Sequence, residues 1–255
     1  MPANSNKVPV AAKQALLAAA LFGLWFVLTR YGVLSPFFFG QPLEVMAQVW
    51  EWFASGSIFP HLATTLTETA LAFVIGTVLG TAMGLWLGLS RDAALLLNPF
   101  LNAMNAMPRV VLAPIFAVWF GLGILSKVAL GVTLVFFLVF FNVFQGVREV
   151  SPVVLANARM LGATRRQLLA TVFIPSAASW VFSSLHASVG MAFVGAVVGE
   201  YLGSARGVGY LILQAEGVFD VNAVFAWIVV LTVCAVVLDG LVTLAERRLL
   251  VWKPS

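Results

Sequence analysis

The chain has 255 residues, of which 62% are hydrophobic and 9% are charged, and its mean hydropathy is +1.02. A soluble domain of this length cannot bury that much apolar surface in one core, so the composition excludes an ordinary soluble protein. The formal net charge is +4 at pH 7. Basic loops beside anionic lipid account for this charge without a nucleic-acid partner.

Six apolar stretches are each long enough to cross a bilayer, which takes about 20 helical residues. They span residues 14–34, 64–89, 94–120, 125–147, 177–199 and 223–245. The first stretch follows Lys7 and Lys13 but lacks a small-residue cleavage site, so we predict a retained span rather than a signal peptide. The sequence thus predicts an all-α membrane protein with about six transmembrane helices.

Lysine and arginine residues predict which side of the membrane each loop faces, because cytoplasmic loops hold an excess of them. If the N-terminus is cytoplasmic, the opposite side holds only Arg30, Lys127 and Arg206. The other basic residues, apart from Arg109 inside the third stretch, then fall in cytoplasmic segments. We therefore predict that both termini are cytoplasmic.

The second stretch has a glycine at every fourth position: Gly76, Gly80, Gly84 and Gly88. This spacing forms a smooth stripe on one helix face, against which another helix can pack closely. We favour packing within the chain, and contact with a second subunit is the alternative interpretation.

The third stretch is interrupted by three prolines: Pro99, Pro108 and Pro114. It is either a kinked helix or two shorter pieces that line a cavity, because broken backbone at membrane depth must face protein or water. Arg109 lies in its middle. This arginine offers positive charge to an anion in a transport pathway, pairs with Glu68 or Asp239, or lies near the cytoplasmic face if the third span starts later in the chain.

The loop at about 148–174 is too well patterned to be a simple connector. Ser151 and Pro152 predict the start of a short helix, and Gly162 predicts its end. Thr164 to Gln167 has the capping-box pattern of a second helix, and Pro175 predicts the turn into the fifth span. From periodicity alone, the pair either rests on lipid headgroups through its basic residues or docks a partner protein. The basic residues are Arg159, Arg165 and Arg166.

Ionisable and polar groups at membrane depth are costly, so each is a functional candidate. His186 shares a polar face with Ser183, Ser184 and Ser188, which suits either a transport pathway or hydrogen bonds between helices. Asn142 is a weaker case of the same kind. Glu200 precedes a glycine-rich segment at 203–209. One interpretation is that Glu200 and this segment form an outer gate or a docking site for a binding protein. The other is that Glu200 is an ordinary solvated carboxylate.

Residues 156–163 and 172–175 resemble the EAA loop of ABC importer permeases, with Gly162 and Pro175 in the expected register. The chain departs from the motif at Ala156, where the motif has glutamate. Other segments are similar to the permeases of nitrate, sulfonate and taurine importers. These segments are Met107-Pro108, Ala113-Pro114, Trp119–Gly121, Asn142 with Gly146–Arg148, Gly199-Glu200 and Gly207–Ile212.

The resemblance implies the type I ABC importer permease fold in a bacterial plasma (inner) membrane. It implies that the chain forms a pathway for a small anionic nutrient by alternating access. Its implied partners are a second permease copy in a homodimer, two cytoplasmic ATPase subunits and an extracytoplasmic substrate-binding protein. Because the sequence has no G-x-x-x-x-G-K-[ST] motif, ATP and Mg²⁺ are expected on the ATPase, and the chain is expected to be neither an enzyme nor a cofactor carrier.

Two sets of functional residues are predicted. The ATPase-coupling set, implied by the resemblance, is Ala156, Ala158, Arg159, Gly162, Ala163, Arg165, Arg166, Ile174 and Pro175. The pathway set is Arg109, Asn142, His186 and Glu200. The expected organisation is a tail, first span and external segment in 1–61, a permease core in 62–250 with its coupling loop at 148–175, and a cytoplasmic tail in 251–255.

Two other classes of function stay open. A secondary transporter driven by an ion gradient works without an ATPase, and it predicts paired carboxylates inside the membrane or two inverted halves. Neither feature is clear in the sequence. A membrane enzyme predicts convergent catalytic groups, but the sequence shows no metal-ligand spacing and no nucleophile triad.

Overall fold

The computed structural model describes residues 10–249, and within that range all regular structure is helical. The helices are α1 Val10–Arg30, α2 Pro36–Phe39, α3 Pro42–Ser55, α4 Phe59–Leu89, α5 Arg91–Ala106, α6 Ala113–Phe120, α7 Ile124–Arg148, α8 Pro152–Met160, α9 Arg165–Leu168, α10 Ile174–Gly203, α11 Val208–Gly217 and α12 Val221–Leu249. A 3₁₀ turn at Arg109–Leu112 precedes α6, and a π-helical turn at Leu169–Phe173 joins α9 to α10. Lys7 and the predicted tail at 251–255 lie outside the described residues.

The prediction of about six spans is confirmed. Five helical segments between residues 10 and 249 are long and apolar enough to cross a membrane, and α5 with the 109–120 piece makes a sixth when counted as one broken span. The first span ends at Arg30 rather than at the predicted residue 34. The reason is Gly32, which adopts a left-handed φ of 74° and so terminates the helix.

The chain divides into two compact units, which within the described range are 10–58 with 212–230, and 59–211 with 231–249. In the first unit, Trp52 of α3 stacks on Trp227 of α12 with ring centroids 4.0 Å apart. Asn222 donates a hydrogen bond of 2.5 Å to Glu44 and accepts one of 2.7 Å from the Gln41 amide. These contacts fix α3 to the first turns of α12.

In the second unit, α4 and α7 pack in parallel along the glycine stripe. The facing pairs are Gly76 with Val135, Gly80 with Val139, Gly84 with Val143 and Gly88 with Val147. A Cβ atom at any of these glycines would lie 3.0 Å or less from the facing valine. Packing within the chain is therefore confirmed, and the alternative of a subunit contact is wrong, because α7 covers the stripe.

Helix α10 runs antiparallel to α7 on another side of it. Gly199 lies against Lys127 at one end, and Trp180 lies against Gly146 at the other. Since α4 and α7 are parallel, the segment between them must return along the length of the unit. The broken span α5 to α6 makes that return.

The broken span consists of two pieces whose axes are bent by 87°. Met107 and Pro108 are extended between them, because proline disfavours the helical conformation of the residue before it. The third stretch therefore consists of two shorter pieces, as one interpretation predicts, and not of a single kinked helix. Pro99 lies inside α5. Pro114 lies in the first turn of α6, a position where proline is tolerated.

Candidate functional site

A cleft lies beside the break in the third span. Its volume is about 270 Å³, and it is lined by Asn105, Arg109, Leu134, Phe137, Leu138, Phe141, Asn142 and Met191. The polar residues come from both sides of the cleft, since Asn105 and Arg109 flank the break and Asn142 lies on α7. Two of the four predicted pathway residues, Arg109 and Asn142, thus share one cavity.

Arg109 is held by polar and aromatic contacts rather than by a carboxylate. Its Nη2 donates to the carbonyl of Asn105 at 3.2 Å and also to the Asn105 side-chain oxygen. Its guanidinium carbon lies 4.6 Å from the centroid of the Phe137 ring. The alternative in which Arg109 pairs with Glu68 or Asp239 is wrong, because each of those carboxylates lies in a different cluster.

The Arg109 charge is therefore uncompensated by any ion pair within the part of the chain that the structure describes. Its Nε is buried and has no hydrogen-bond partner there. Asn142 lies opposite, with its amide Nδ2 donating to Leu138 O at 2.8 Å. The cleft combines one free cationic donor with aromatic walls, a combination suited to a small anion with an apolar body.

Glu200 lies in a different cluster, at the end of the unit where α10 meets α11. Its side chain is 0% exposed, so the interpretation as a solvated carboxylate is wrong. Thr65 Oγ1 donates to Glu200 Oε1 at 2.7 Å, and the Gly209 amide donates to Oε2 at 2.8 Å. The Thr65 hydroxyl in turn accepts from the Val208 amide at 3.0 Å. Glu200 and Thr65 together bind the first turn of α11.

The loop before α11 depends on glycine for this geometry. Gly207 has a left-handed φ of 104°, and its amide donates to His61 Nδ1 at 3.2 Å. A Cβ atom at Gly207 would collide with the Glu200 carboxylate, and one at Gly209 would collide with the Val197 carbonyl. Three successive amides, at 207, 208 and 209, are thereby held by side chains of α4 and α10.

Sequence reasoning missed the cation of this cluster. The sequence predicts only that Lys127 belongs to the side of the membrane opposite the N-terminus. In the structure it lies in the first turn of α7 and is 1% exposed. Its Nζ donates to the carbonyls of Leu122 at 2.6 Å and Gly123 at 3.1 Å. Glu68, also 1% exposed, interacts electrostatically with both Lys127 and Glu200. The available signal was the presence of Glu68 and Glu200 in or beside predicted spans, because ionisable groups at membrane depth usually pair with one another.

His186 lies in a third cluster, between α10 and α12. Its Nδ1 is 2.6 Å from Asp239 Oδ1, and its Nε2 is 3.2 Å from Glu246 Oε2. The imidazole ring therefore makes hydrogen bonds between α10 and α12, as the second of the two interpretations of His186 predicts. His186 is not part of the Arg109 cleft, and its role in a pathway stays a prediction.

The loop after α7 contains the predicted pair of short helices. Helix α8 ends in a Schellman motif, in which the Ala163 amide donates to Ala158 O at 3.0 Å and the Gly162 amide donates to Arg159 O at 2.9 Å. Gly162 has a φ of 79°, as its predicted role requires. The predicted capping box is present, with Thr164 N donating to Gln167 Oε1 at 2.8 Å.

Two details of the loop differ from prediction. Ser151 occupies the N-cap position of α8 but makes no side-chain hydrogen bond there. Pro175 does not mark a turn, because residues 165–203 form one continuous helical segment of 39 residues. The π turn explains this: the Ile174 amide bonds Leu169 O, five residues back, and the wider turn accommodates the proline ring that follows.

The loop also presents an apolar tip. Met160 is 85% exposed and Leu161 is 88% exposed, directly before the turn at Gly162. Arg159, Arg165 and Arg166 surround them in the sequence. The helix end and capping box fix the backbone on both sides of this tip, so its apolar side chains are held outward. Such a surface suits docking into a groove of another protein.

Comparison with known proteins identifies the family. The binding-protein-dependent transport system inner membrane components match residues 76–251. The chain is 34% identical over 243 residues to SsuC of Bacillus subtilis (strain 168), named as an aliphatic sulfonates transport permease, which covers 95% of this chain and 88% of that protein. It is 30% identical over 233 residues to the formylaminopyrimidine transport permease ThiX of Halalkalibacterium halodurans, covering 91% of this chain and 92% of that protein.

The taurine transport permease TauC of Escherichia coli (strain K12) is 28% identical over 239 residues, covering 92% of this chain and 87% of that protein. These relatives align along nearly the whole chain, and the matched family region contains the glycine stripe, the broken span and the two-helix loop. The chain therefore belongs to the family of binding-protein-dependent transport system inner membrane components, as a permease of the ABC transporter class that includes sulfonate, taurine and thiamine-precursor permeases.

Proposed function

We propose that this chain is the membrane subunit of an ATP-driven importer and forms the pathway for a small anionic nutrient of the sulfonate class. In the assembly, two copies of the chain pair with two cytoplasmic ATPase subunits and an extracytoplasmic substrate-binding protein, in a bacterial inner membrane with both termini cytoplasmic. The observation that supports the substrate class is Arg109, a guanidinium with no carboxylate partner among residues 10–249, in a cleft at a broken span.

The names of relatives support the same substrate class without fixing it. Sulfonates and taurine carry a sulfonate group, whereas formylaminopyrimidine has none. A guanidinium that keeps a free donor selects an oxyanion, because charge-assisted hydrogen bonds are about twice as strong as neutral ones. Arg109 therefore favours the sulfonate-type members of this mixed group.

Replacement of Arg109 by glutamine is expected to lower uptake of a sulfonate by about 10- to 100-fold, since a hydrogen bond to a charged group contributes about 1.5–3 kcal/mol. Uptake is measured in proteoliposomes with the complete transporter, with taurine and with a neutral heterocycle as substrates. Arg91, an exposed arginine in the first turn of α5, offers a control of the same residue type outside the cleft. If Arg109→Gln changes taurine and heterocycle uptake equally, Arg109 does not select the anion.

Energy is proposed to enter through the loop of α8 and α9. The continuous helix 165–203 joins that loop directly to the span that contains Glu200. A displacement of the loop by an ATPase would therefore be transmitted along α10 without a flexible joint. Alternating access follows when the spans have two stable packings that ATP binding and release favour in turn.

Leu161→Asp is expected to abolish co-purification of the ATPase in mild detergent, because it places a charge on the exposed apolar tip. The permease itself should keep its yield and melting temperature, since Leu161 is 88% exposed. Leu161→Met is the matched control, because it keeps an apolar side chain at the same position and should retain the ATPase. Retention of the ATPase by Leu161→Asp would exclude the tip as the docking site.

One observation favours the alternative of an ion-coupled secondary transporter. Glu68 and Glu200 form a buried carboxylate pair, the feature that such a transporter predicts. Both groups are, however, next to Lys127, and Glu200 is already hydrogen-bonded to α4 and α11. Uptake by the purified chain alone in liposomes under an imposed ion gradient, with no ATPase present, would establish the alternative.

A further inference from the structure

We infer that a cavity beside the loop of α8 and α9 is a binding site for the phosphate of an anionic phospholipid headgroup. The inference rests on the cytoplasmic orientation in the proposed function, which places this end of α4 at the inner leaflet. The cavity has a volume of about 380 Å³, and its walls include Gly88, Leu89, Arg159, Arg165, Leu169 and Phe173. This volume lies within the range of about 300–1,000 Å³ that is usual for small-molecule sites.

Two arginines line this one cavity. Arg159 comes from the last turn of α8 and Arg165 from the first turn of α9, so the turn at Gly162 brings them to the same side. Within residues 10–249, neither guanidinium has an ion pair or a side-chain hydrogen bond. A phosphate between them would relieve the repulsion of like charges and accept bidentate hydrogen bonds from both.

The arrangement is more selective than a run of basic residues. Arg166 is the neighbour of Arg165 in the sequence, but it does not line the cavity. Two of the three loop arginines therefore line the cavity, while the third does not. This difference provides an internal control, because Arg166 has the same charge and nearly the same position.

The remaining walls indicate a lipid rather than a free anion. Leu89 ends a membrane-spanning helix, and Leu169 and Phe173 belong to the π turn that leads into another. The cavity thus has a cationic side and an apolar side at the membrane boundary, as an amphiphile requires. Basic pockets between spans on the cytoplasmic side bind anionic headgroups in this way. The π turn adds support, since such turns are frequent at functional sites.

The test uses the full-length chain in detergent and measures its affinity for short-chain phosphatidylglycerol, with short-chain phosphatidylcholine and inorganic phosphate as comparison ligands. Replacing Arg159 and Arg165 together by glutamine should weaken phosphatidylglycerol binding at least about tenfold, whereas Arg166→Gln should change it less than about twofold. Phosphatidylcholine should bind more weakly and without dependence on these arginines.

Three outcomes would overturn the inference. Equal losses in the double variant and in Arg166→Gln would indicate diffuse surface charge rather than a site. Binding of inorganic phosphate that depends on Arg159 and Arg165, with no binding of phosphatidylglycerol, would indicate a free-anion site. Unchanged phosphatidylglycerol affinity in the double variant would exclude the cavity altogether.

The measurement needs no ATPase, so its failure is separate from failure of the proposed function. Leu161 does not line the cavity, and Leu161→Asp should therefore keep phosphatidylglycerol binding while losing the ATPase. The double arginine variant should lose lipid binding in the absence of any ATPase. Loss of ATPase docking without loss of lipid binding would not affect the lipid inference. Loss of lipid binding without loss of ATPase docking would not affect the docking proposal.

Discussion

Replacement of Glu200 by alanine is expected to destabilise the chain by about 1–3 kcal/mol, because a buried donor left without a partner costs about that much. The donor is the Gly209 amide, which bonds the Glu200 carboxylate. The Thr65 hydroxyl also bonds that carboxylate but has a second acceptor, the His61 carbonyl at 3.2 Å. Lys127 would also lose one of the two carboxyl groups that interact with its buried ammonium group. The measurement is the unfolding midpoint of the purified protein in detergent.

Two variants separate this effect from loss of a charge as such. Glu200→Gln keeps a side-chain oxygen as acceptor and should be less destabilising than Glu200→Ala. Glu51 is an exposed carboxylate on α3, and Glu51→Ala should leave the midpoint within experimental error. A midpoint of Glu200→Ala equal to that of the unaltered chain would mean that the buried hydrogen bonds contribute nothing to stability.

Local sequence signals predicted the helices and the loop well. The lengths of the apolar stretches predicted the transmembrane spans, because the thickness of a bilayer sets the number of helical residues that a crossing needs. The turn at Gly162 and the capping box at Thr164 follow from backbone chemistry within a few residues, and both are present. The glycine stripe also predicted a close helix contact correctly, since four glycines on one face have no other ready purpose.

Contacts between distant segments were beyond the sequence. The residues next to Lys127 in the sequence do not show which groups surround it, because its burial depends on how closely Gly199 of α10 approaches it. The alternative of an ion pair for Arg109 fails for a similar reason: charge alone allows Glu68 or Asp239 as a partner, whereas the chain folds so that Asn105 and Phe137 contact Arg109. Opposite charges identify possible pairs, but only tertiary packing selects among them.

The continuity of α9 with α10 was also missed. Proline at position 175 favoured a break, since a proline in a regular helix removes one hydrogen bond and clashes with the preceding turn. The π turn at Leu169–Phe173 removes that conflict by widening the helix locally. A π turn leaves no reliable mark in the sequence, so the 39-residue segment was predicted as two helices.

Gly80→Ala is expected to destabilise the chain by about 1–3 kcal/mol, the usual cost of adding a methyl group to a closely packed interface. A Cβ atom at Gly80 would lie 2.8 Å from the Phe136 carbonyl oxygen and 3.1 Å from the Phe140 amide nitrogen. Both atoms are backbone, so a change of side-chain rotamer cannot relieve the overlap. Helices α4 and α7 would have to separate, and the unfolding midpoint in detergent should fall.

The same substitution at Gly190 provides the control and reverses the expected sign. Gly190 also lies inside a spanning helix, but a Cβ atom there would have no neighbour within 4 Å among the described residues. Alanine is a better helix former than glycine by about 0.5–1 kcal/mol, so Gly190→Ala should leave stability unchanged or raise it. If both variants change the midpoint equally, helix propensity rather than the approach of α4 to α7 governs the effect. A fall for Gly80→Ala alone would identify the glycine stripe as the contact that sets the spacing of these two spans.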